Sequence, residues 1–300
     1  MGKNKQGYTI VEVMIFLAVS GLMFVMAASS ISGKQAKVEY KQGVNASNDQ
    51  MRQIINDVAN GFVSSSNLIC TDSSGLFTFS PSASDKQGTN GGISGGCAFE
   101  GKIIQFTPDN SVVSTLPTGS TAYNIYTVAG RQFTLNDPKN SFKTPNNLQE
   151  AKPTIVKNSN VDLTEYKQLP WNLSVDKVVV DGAPPSNIHA IAFLSSIGSN
   201  SSSDLTSGAQ NVTVIPLPVP GLHTTSSWGD QPSQVQAYLK SLIDTYGTSS
   251  PDAYFPHPKI TVCFTRGAGQ FGSLTLGDST HGQRLTTKTQ ISSSVTPECA

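Results

Sequence analysis

Glu12 is the only charged residue between Tyr8 and Ala28, in a run otherwise made of apolar and small residues. A carboxylate at the centre of an apolar helix costs on the order of 3 kcal/mol in a membrane, and such a residue usually has a specific partner. Glu12 lies four residues past Tyr8, ~6 Å along a helix. Cutting the chain between Gly7 and Tyr8 would create an α-amine, and that amine on a neighbouring copy could neutralise Glu12. Gly7, Tyr8 and Glu12 therefore suggest one piece of chemistry, a backbone cleavage followed by an ion pair between subunits.

The second group with chemical potential is Cys70, Cys97, Cys263 and Cys299. None forms a C-x-x-C pair, so zinc-ribbon and thioredoxin-type sites have no support. Four cysteines allow three pairings. Cys70 with Cys97 and Cys263 with Cys299 is the favoured one because each closes a local loop, and four buried free thiols are the alternative. An oxidising compartment favours bridges.

The remaining candidates are weaker. His189, His223, His257 and His281 are scattered, with no H-E-x-x-H and no metal-ligand spacing. The glycine-rich run at Gly91–Gly96 has no Lys-Ser/Thr end and reads as a loop rather than a phosphate cradle. No G-x-S-x-G elbow is present. The expectation is a non-enzyme with no cofactor and no metal. With 13% charged residues and a formal net charge of zero, bulk electrostatics give no sign of nucleic-acid binding.

Three segments must position these residues. Residues 1–7 form a polar leader with Lys3 and Lys5 and no acid. The 21 residues from Tyr8 to Ala28 would span ~30 Å as a helix, the thickness of a bilayer's hydrocarbon core. Lysines before the span predict a cytoplasmic N-terminus and a head outside. No proline occurs before Pro81, and the helix is expected to run on to about Ser65. Its second half carries an apolar stripe of Val38, Val44, Met51, Ile54, Ile55, Val58 and Phe62. Gly33, Gly43 and Gly61 are its weak points, with a bend possible at Gly33.

The leader, the glycine before the cut, the aromatic after it and Glu12 resemble the class III signal of type IV pilins and type II secretion pseudopilins. The resemblance implies that prepilin peptidase cuts after Gly7 and that Tyr8 becomes the methylated N-terminus. It implies that Glu12 is the assembly residue. It further implies partners: other pilin subunits, an assembly platform protein, an ATPase and the membrane. An ordinary secretory signal cut before Ala28 competes with this reading, as does an uncleaved anchor. Glu12 and the amphipathic continuation of the helix count against both.

The division expected is a leader at 1–7, an N-terminal helix at 8–67 with its transmembrane segment at 8–28, and an extracytoplasmic β-rich head at 68–300. Predicted strands are Leu76–Phe79, Ala98–Phe106, Ala122–Phe133, Leu173–Val180, Ile188–Leu194, Val212–Ile215, Lys259–Thr265, Phe271–Leu276 and Arg284–Ile291. One amphipathic helix is predicted over Ser233–Tyr246. Ser-rich stretches at 82–96 and 195–207 read as loops, and Pro216, Pro218 and Pro220 as a stiff connector. The fold class is α+β, a long N-terminal helix packed on a mostly antiparallel β head. Its function is expected to be that of a minor pilin or pseudopilin in a type IV pilus or secretion-like filament. The alternatives are an adhesin-type head on a pilin stem and an exported protein on a simple anchor.

Overall fold

A computed structural model describes residues 9–61, 68–73, 76–81, 97–107, 121–131, 134–135, 142–143, 147–157, 161–181, 188, 190–195, 212–217, 231–246, 259–266, 269–277, 287–292, 294–295 and 299. In chain order the elements are α1 (Ile10–Ala59), β1 (Leu68–Ser73), β2 (Leu76–Pro81), β3 (Cys97–Thr107), β4 (Ala122–Arg131), β5 (Thr134–Leu135), β6 (Phe142–Lys143) and α2 (Leu148–Ala151). They continue with β7 (Thr154–Ile155), β8 (Thr164–Gln168), β9 (Ser174–Val180), β10 (Ala190–Ser195), β11 (Val212–Leu217), α3 (Gln231–Tyr246), β12 (Ile260–Thr265), β13 (Phe271–Leu276) and β14 (Thr287–Ser292).

Helix α1 runs for 50 residues, ~75 Å. It passes through Gly33 and Gly43 without interruption. It stops at Ala59, earlier than the expected Ser65, because Gly61 takes a left-handed φ of 66° and its N–H bonds to the Val58 carbonyl at 3.2 Å. Glycine adopts that conformation without a Cβ penalty, which makes it a common helix stop. Phe62 lies outside the described residues.

The buried stripe of α1 is Tyr40, Val44, Ser47, Met51, Ile54, Ile55 and Val58. Steps of three and four keep these residues on one face. Val38, expected on that face, is 53% exposed, and Tyr40 takes the first place instead.

Two antiparallel sheets share that face. The larger has the order β11-β10-β3-β4-β7, with β8 also paired to β4, and the smaller has the order β14-β13-β12-β9. Strand alternation sorts their side chains. Ile191 and Phe193 of β10, and Phe99, Ile104 and Phe106 of β3, join Met51, Ile54 and Val58 in a first core. From the smaller sheet, Ile260, Val262, Phe264, Leu274 and Leu276 join the same core. Ala190, Ala192 and Leu194 face the other way into a second core, closed by Leu148 of α2 and Val235, Leu239 and Ile243 of α3. The larger sheet is thus covered on both faces. The result is α+β with a long N-terminal helix, as expected.

Most predicted strands fall within a few residues of observed ones, and Phe271–Leu276 coincides with β13. The strand predicted to Phe133 ends at Arg131. Pro216 lies inside β11, opposite Ile191, rather than in a free connector. Strand β11 is the edge of its sheet, where a residue without an N–H is tolerated. Residues 82–96 and 196–207 lie outside the described residues, and Ser195 closes β10.

Candidate membrane-anchoring and assembly segment

The N-terminal end of α1 is built by a local device. Thr9, in extended conformation, caps the helix, and its Oγ1 accepts a hydrogen bond from the Glu12 backbone N–H at 3.3 Å. Thr9-Ile10-Val11-Glu12 has the capping-box pattern, with Glu12 at the third helical position. A carboxylate there also lies near the positive end of the helix dipole. Glu12 thus stands where its side chain can support the start of the helix, besides any role between subunits. Gly7 and Tyr8 lie outside the described residues, so the Gly7–Tyr8 junction remains an expectation.

Beyond the cap, Ile10–Ala27 is long and apolar enough to cross a bilayer, and no part of it is buried against the rest of the chain. Phe16 and Phe24 are 72% and 75% exposed. The hydroxyls of Ser20 in this stretch and Ser29 just beyond it are satisfied from within the helix. Ser20 Oγ donates to the Phe16 carbonyl at 2.7 Å, and Ser29 Oγ donates to the Met26 carbonyl at 3.0 Å. This is what an apolar solvent demands of hydroxyls on a spanning helix. The segment must be covered by lipid or by other apolar helices. One N-terminal apolar helix of this kind fits a pilin's membrane anchor.

The helix then enters the head without a break, and specific contacts lock it there. Tyr40 Oη donates to the Phe264 carbonyl of β12 at 3.1 Å. Arg266 donates to Glu39 Oε2 at 2.8 Å, while Gln35 Nε2 donates to the other carboxylate oxygen at 3.0 Å. The Arg266 hydrogen bond, with help from Gln35, holds the Glu39 carboxyl below its usual range. Toward the C-terminal end of α1, Lys102 of β3 donates to Asp57 Oδ2 at 2.7 Å. Tyr123 of β4 donates to Gln50 Oε1 at 2.7 Å, and burial pushes its hydroxyl pKa up to about 12. Sequence reading missed all four locks. Tyr40 was legible as one helical turn before Val44. The partners of the charged residues are hundreds or tens of positions away and carry no local signal.

Cys263 and Cys299 form a disulfide across 36 positions, as the local-loop argument expected. Cys263 alternates with Val262 and Phe264, so the bridge sits on the face of β12 turned away from α1 and ties the C-terminus to it. Cys70 and Cys97 place their backbones in β1 and β3, while their side chains lie outside the described residues.

Residues 2–28 match the family model of the prokaryotic N-terminal methylation motif. This is the class III prepilin signal, and the chain carries the N-terminus of a type IV pilin-like or pseudopilin precursor. The match covers the leader and the span, while the head lies outside it. Neither the curated proteins nor the solved structures contain a match to the chain. The motif indicates a structural subunit that is processed by prepilin peptidase and assembles with other pilins.

Proposed function

We propose that this chain is a minor pilin or pseudopilin, cut after Gly7, methylated on Tyr8, and assembled through α1 into a type IV pilus or type II secretion-like filament. The observation that carries the reading is the methylation motif of residues 2–28 running directly into a helix that continues to the core of the head. A cleavable secretory signal has no use for that continuity, whereas a subunit pulled from a membrane into a filament needs it. The bare helix would exchange lipid for the helices of neighbouring subunits, at little change in its apolar surroundings. In that dry setting Glu12 gains the Tyr8 amine of an adjacent subunit, and an unpaired charge there is strongly penalised. Lys3 and Lys5 keep the leader in the cytoplasm before cleavage, with the head outside. An assembly ATPase and a platform membrane protein supply the work of extraction.

Intact mass of the protein purified from membranes tests this. The expected mass is that of residues 8–300 with one added methyl group and with disulfides formed. A mature chain beginning at Ala28 would overturn the reading in favour of a secretory signal.

A further inference from the structure

The central pair of the larger sheet contains a bulge. Phe99 pairs with Ala129 and Gly101 pairs with Val128, so Glu100 is the extra residue. Bulges are often functional features that re-aim a side chain. Here the side chain turned inward is an acid: Glu100 is 1% exposed, and among the described residues neither carboxyl oxygen has a hydrogen-bond partner. Room for it exists because residue 130 is glycine. A Cβ on Gly130 would collide with both the Glu100 carboxyl and the Ala151 carbonyl oxygen, so the two lie close together around Gly130.

Among the described residues, no cation is hydrogen-bonded to this carboxyl. From α2 and its C-cap, Glu150 and Lys152 flank Ala151, and on β4 Arg131 follows Gly130 in the sequence. Lys102, two residues along β3, is taken up by Asp57 of α1. Strand β10, paired alongside Gly101, has no ionisable residue. Helix α3 contributes Lys240 and Asp244, paired to each other on its exposed side. A carboxylate would set two anionic oxygens against a carbonyl oxygen in a dry site, whereas the neutral acid brings an O–H that a carbonyl can accept. Burial accordingly pushes the Glu100 carboxyl well above the usual carboxylate range.

What lies over Glu100 is thin. Helix α2 is one turn, and β7 is two residues. Beside the apolar packing of Leu148 and Ile155 against α3, their polar hold on it runs through Gln236, which accepts from the Ile155 N–H at 2.7 Å and donates to the Pro153 carbonyl at 3.1 Å. We propose that Glu100 is a proton-operated latch. As the neutral acid it lets α2 and β7 close over the bulge, and on losing its proton to solvent it releases them and loosens the seat of α3. This inference does not depend on the filament reading.

Backbone hydrogen exchange of the full chain in detergent micelles tests it, from pH 5 to 8 and corrected for the intrinsic chemical rate. The probes are the hydrogen-bonded amides of Ala151, Lys152, Ile155 and Val156. Their opening equilibrium in the wild type is expected to rise with pH, by up to ~10-fold per unit. In Glu100→Gln, and in Glu100→Leu as a second non-ionising variant, it should be flat. A flat wild-type profile, or the same slope in both variants, would overturn the proposal. So would an equal slope at the α1 amides from Tyr40 to Val58, since the effect would then belong to the whole fold.

Discussion

The hydroxyl of Tyr40 reaches across 224 positions of sequence to donate to the carbonyl of Phe264, and a Cβ on Gly272 would lie 2.8 Å from that hydroxyl oxygen. Residue 272 is therefore part of the same lock as the pair. Tyr40→Phe removes one buried hydrogen bond and leaves the packing, at a cost of ~1 kcal/mol. Gly272→Ala must displace the hydroxyl and crowd Val44 as well, and crowding of this kind costs ~1–3 kcal/mol. In the Tyr40→Phe background the alanine should cost less, because the oxygen it meets has gone. Denaturant unfolding of the four proteins gives this coupling, and strict additivity would show that Gly272 and Tyr40 do not share a site.

Glu39 and Arg266 make a second lock with an electrostatic signature. The folded-state pKa of Glu39 lies below its unfolded value. Its contribution is therefore present above the unfolded pKa, ~4.3, and is lost as pH falls through the folded value. Glu39→Gln should lower Tm at pH 6 and converge with the wild type near pH 3. A constant difference in Tm at both pH values would mean that the bond to Arg266 carries no charge-dependent stability. Glu100 has the opposite sign, since its raised folded-state pKa removes stability as pH rises above ~4.3.

Much of this architecture was legible because it rests on local period. The 3–4 spacing of Val44, Met51, Ile54 and Val58 marks the face of α1 that is buried, and the alternation of Ile191 and Phe193 with Ala190, Ala192 and Leu194 marks a strand between two cores. Strand β8, Thr-Glu-Tyr-Lys-Gln, was invisible because it lies on a sheet edge with little buried, so it shows no apolar alternation. Strand β7 is too short for a period, and the Ile155 N–H depends on a side chain of α3 for its hydrogen bond. Val38 misled because an apolar residue next to a stripe is not thereby on it. At the candidate site, the Thr9–Glu12 capping box was present in the sequence and went unread, because the cost of burying Glu12 in a membrane dominated the argument. Glu100 carried no signal, since burial of an acid at a bulge depends on Gly130, thirty positions away.

The observed bridge and the expected Cys70–Cys97 pairing are each open to direct test. For the observed bridge, Cys263–Cys299 with its 36-residue separation, loss should cost at most ~3–4 kcal/mol by the loop-entropy argument. A Cys263→Ser, Cys299→Ser double variant should therefore fold with a lower unfolding midpoint. Peptide mapping of the unreduced wild type is expected to recover a Cys70–Cys97 cross-link as well. Quantitative alkylation of Cys70 and Cys97 in the denatured, unreduced protein would refute that second pairing.

The last prediction separates the two roles that Glu12 can have. As the third helical residue of a capping box it supports the start of α1, and glutamine serves that purpose nearly as well as glutamate. As the partner of a Tyr8 amine, only the carboxylate will do. In the bilayer the charge is a penalty, so neither Glu12→Gln nor Glu12→Ala should impair insertion. Cleavage depends on the Gly7–Tyr8 junction and should survive in both. Assembly is where they should fail together, because each leaves a cationic amine unpaired in an apolar helical core, at a cost of several kcal/mol. The measurement is the fraction of each variant recovered with sheared surface filaments or an isolated pseudopilus, relative to its membrane level. Loss of incorporation in both variants supports the ion pair. Normal incorporation of Glu12→Gln with loss for Glu12→Ala would assign Glu12 to the helix cap alone. In that case the processing of Gly7–Tyr8 would stand, but the charge would have no part in joining one subunit to the next.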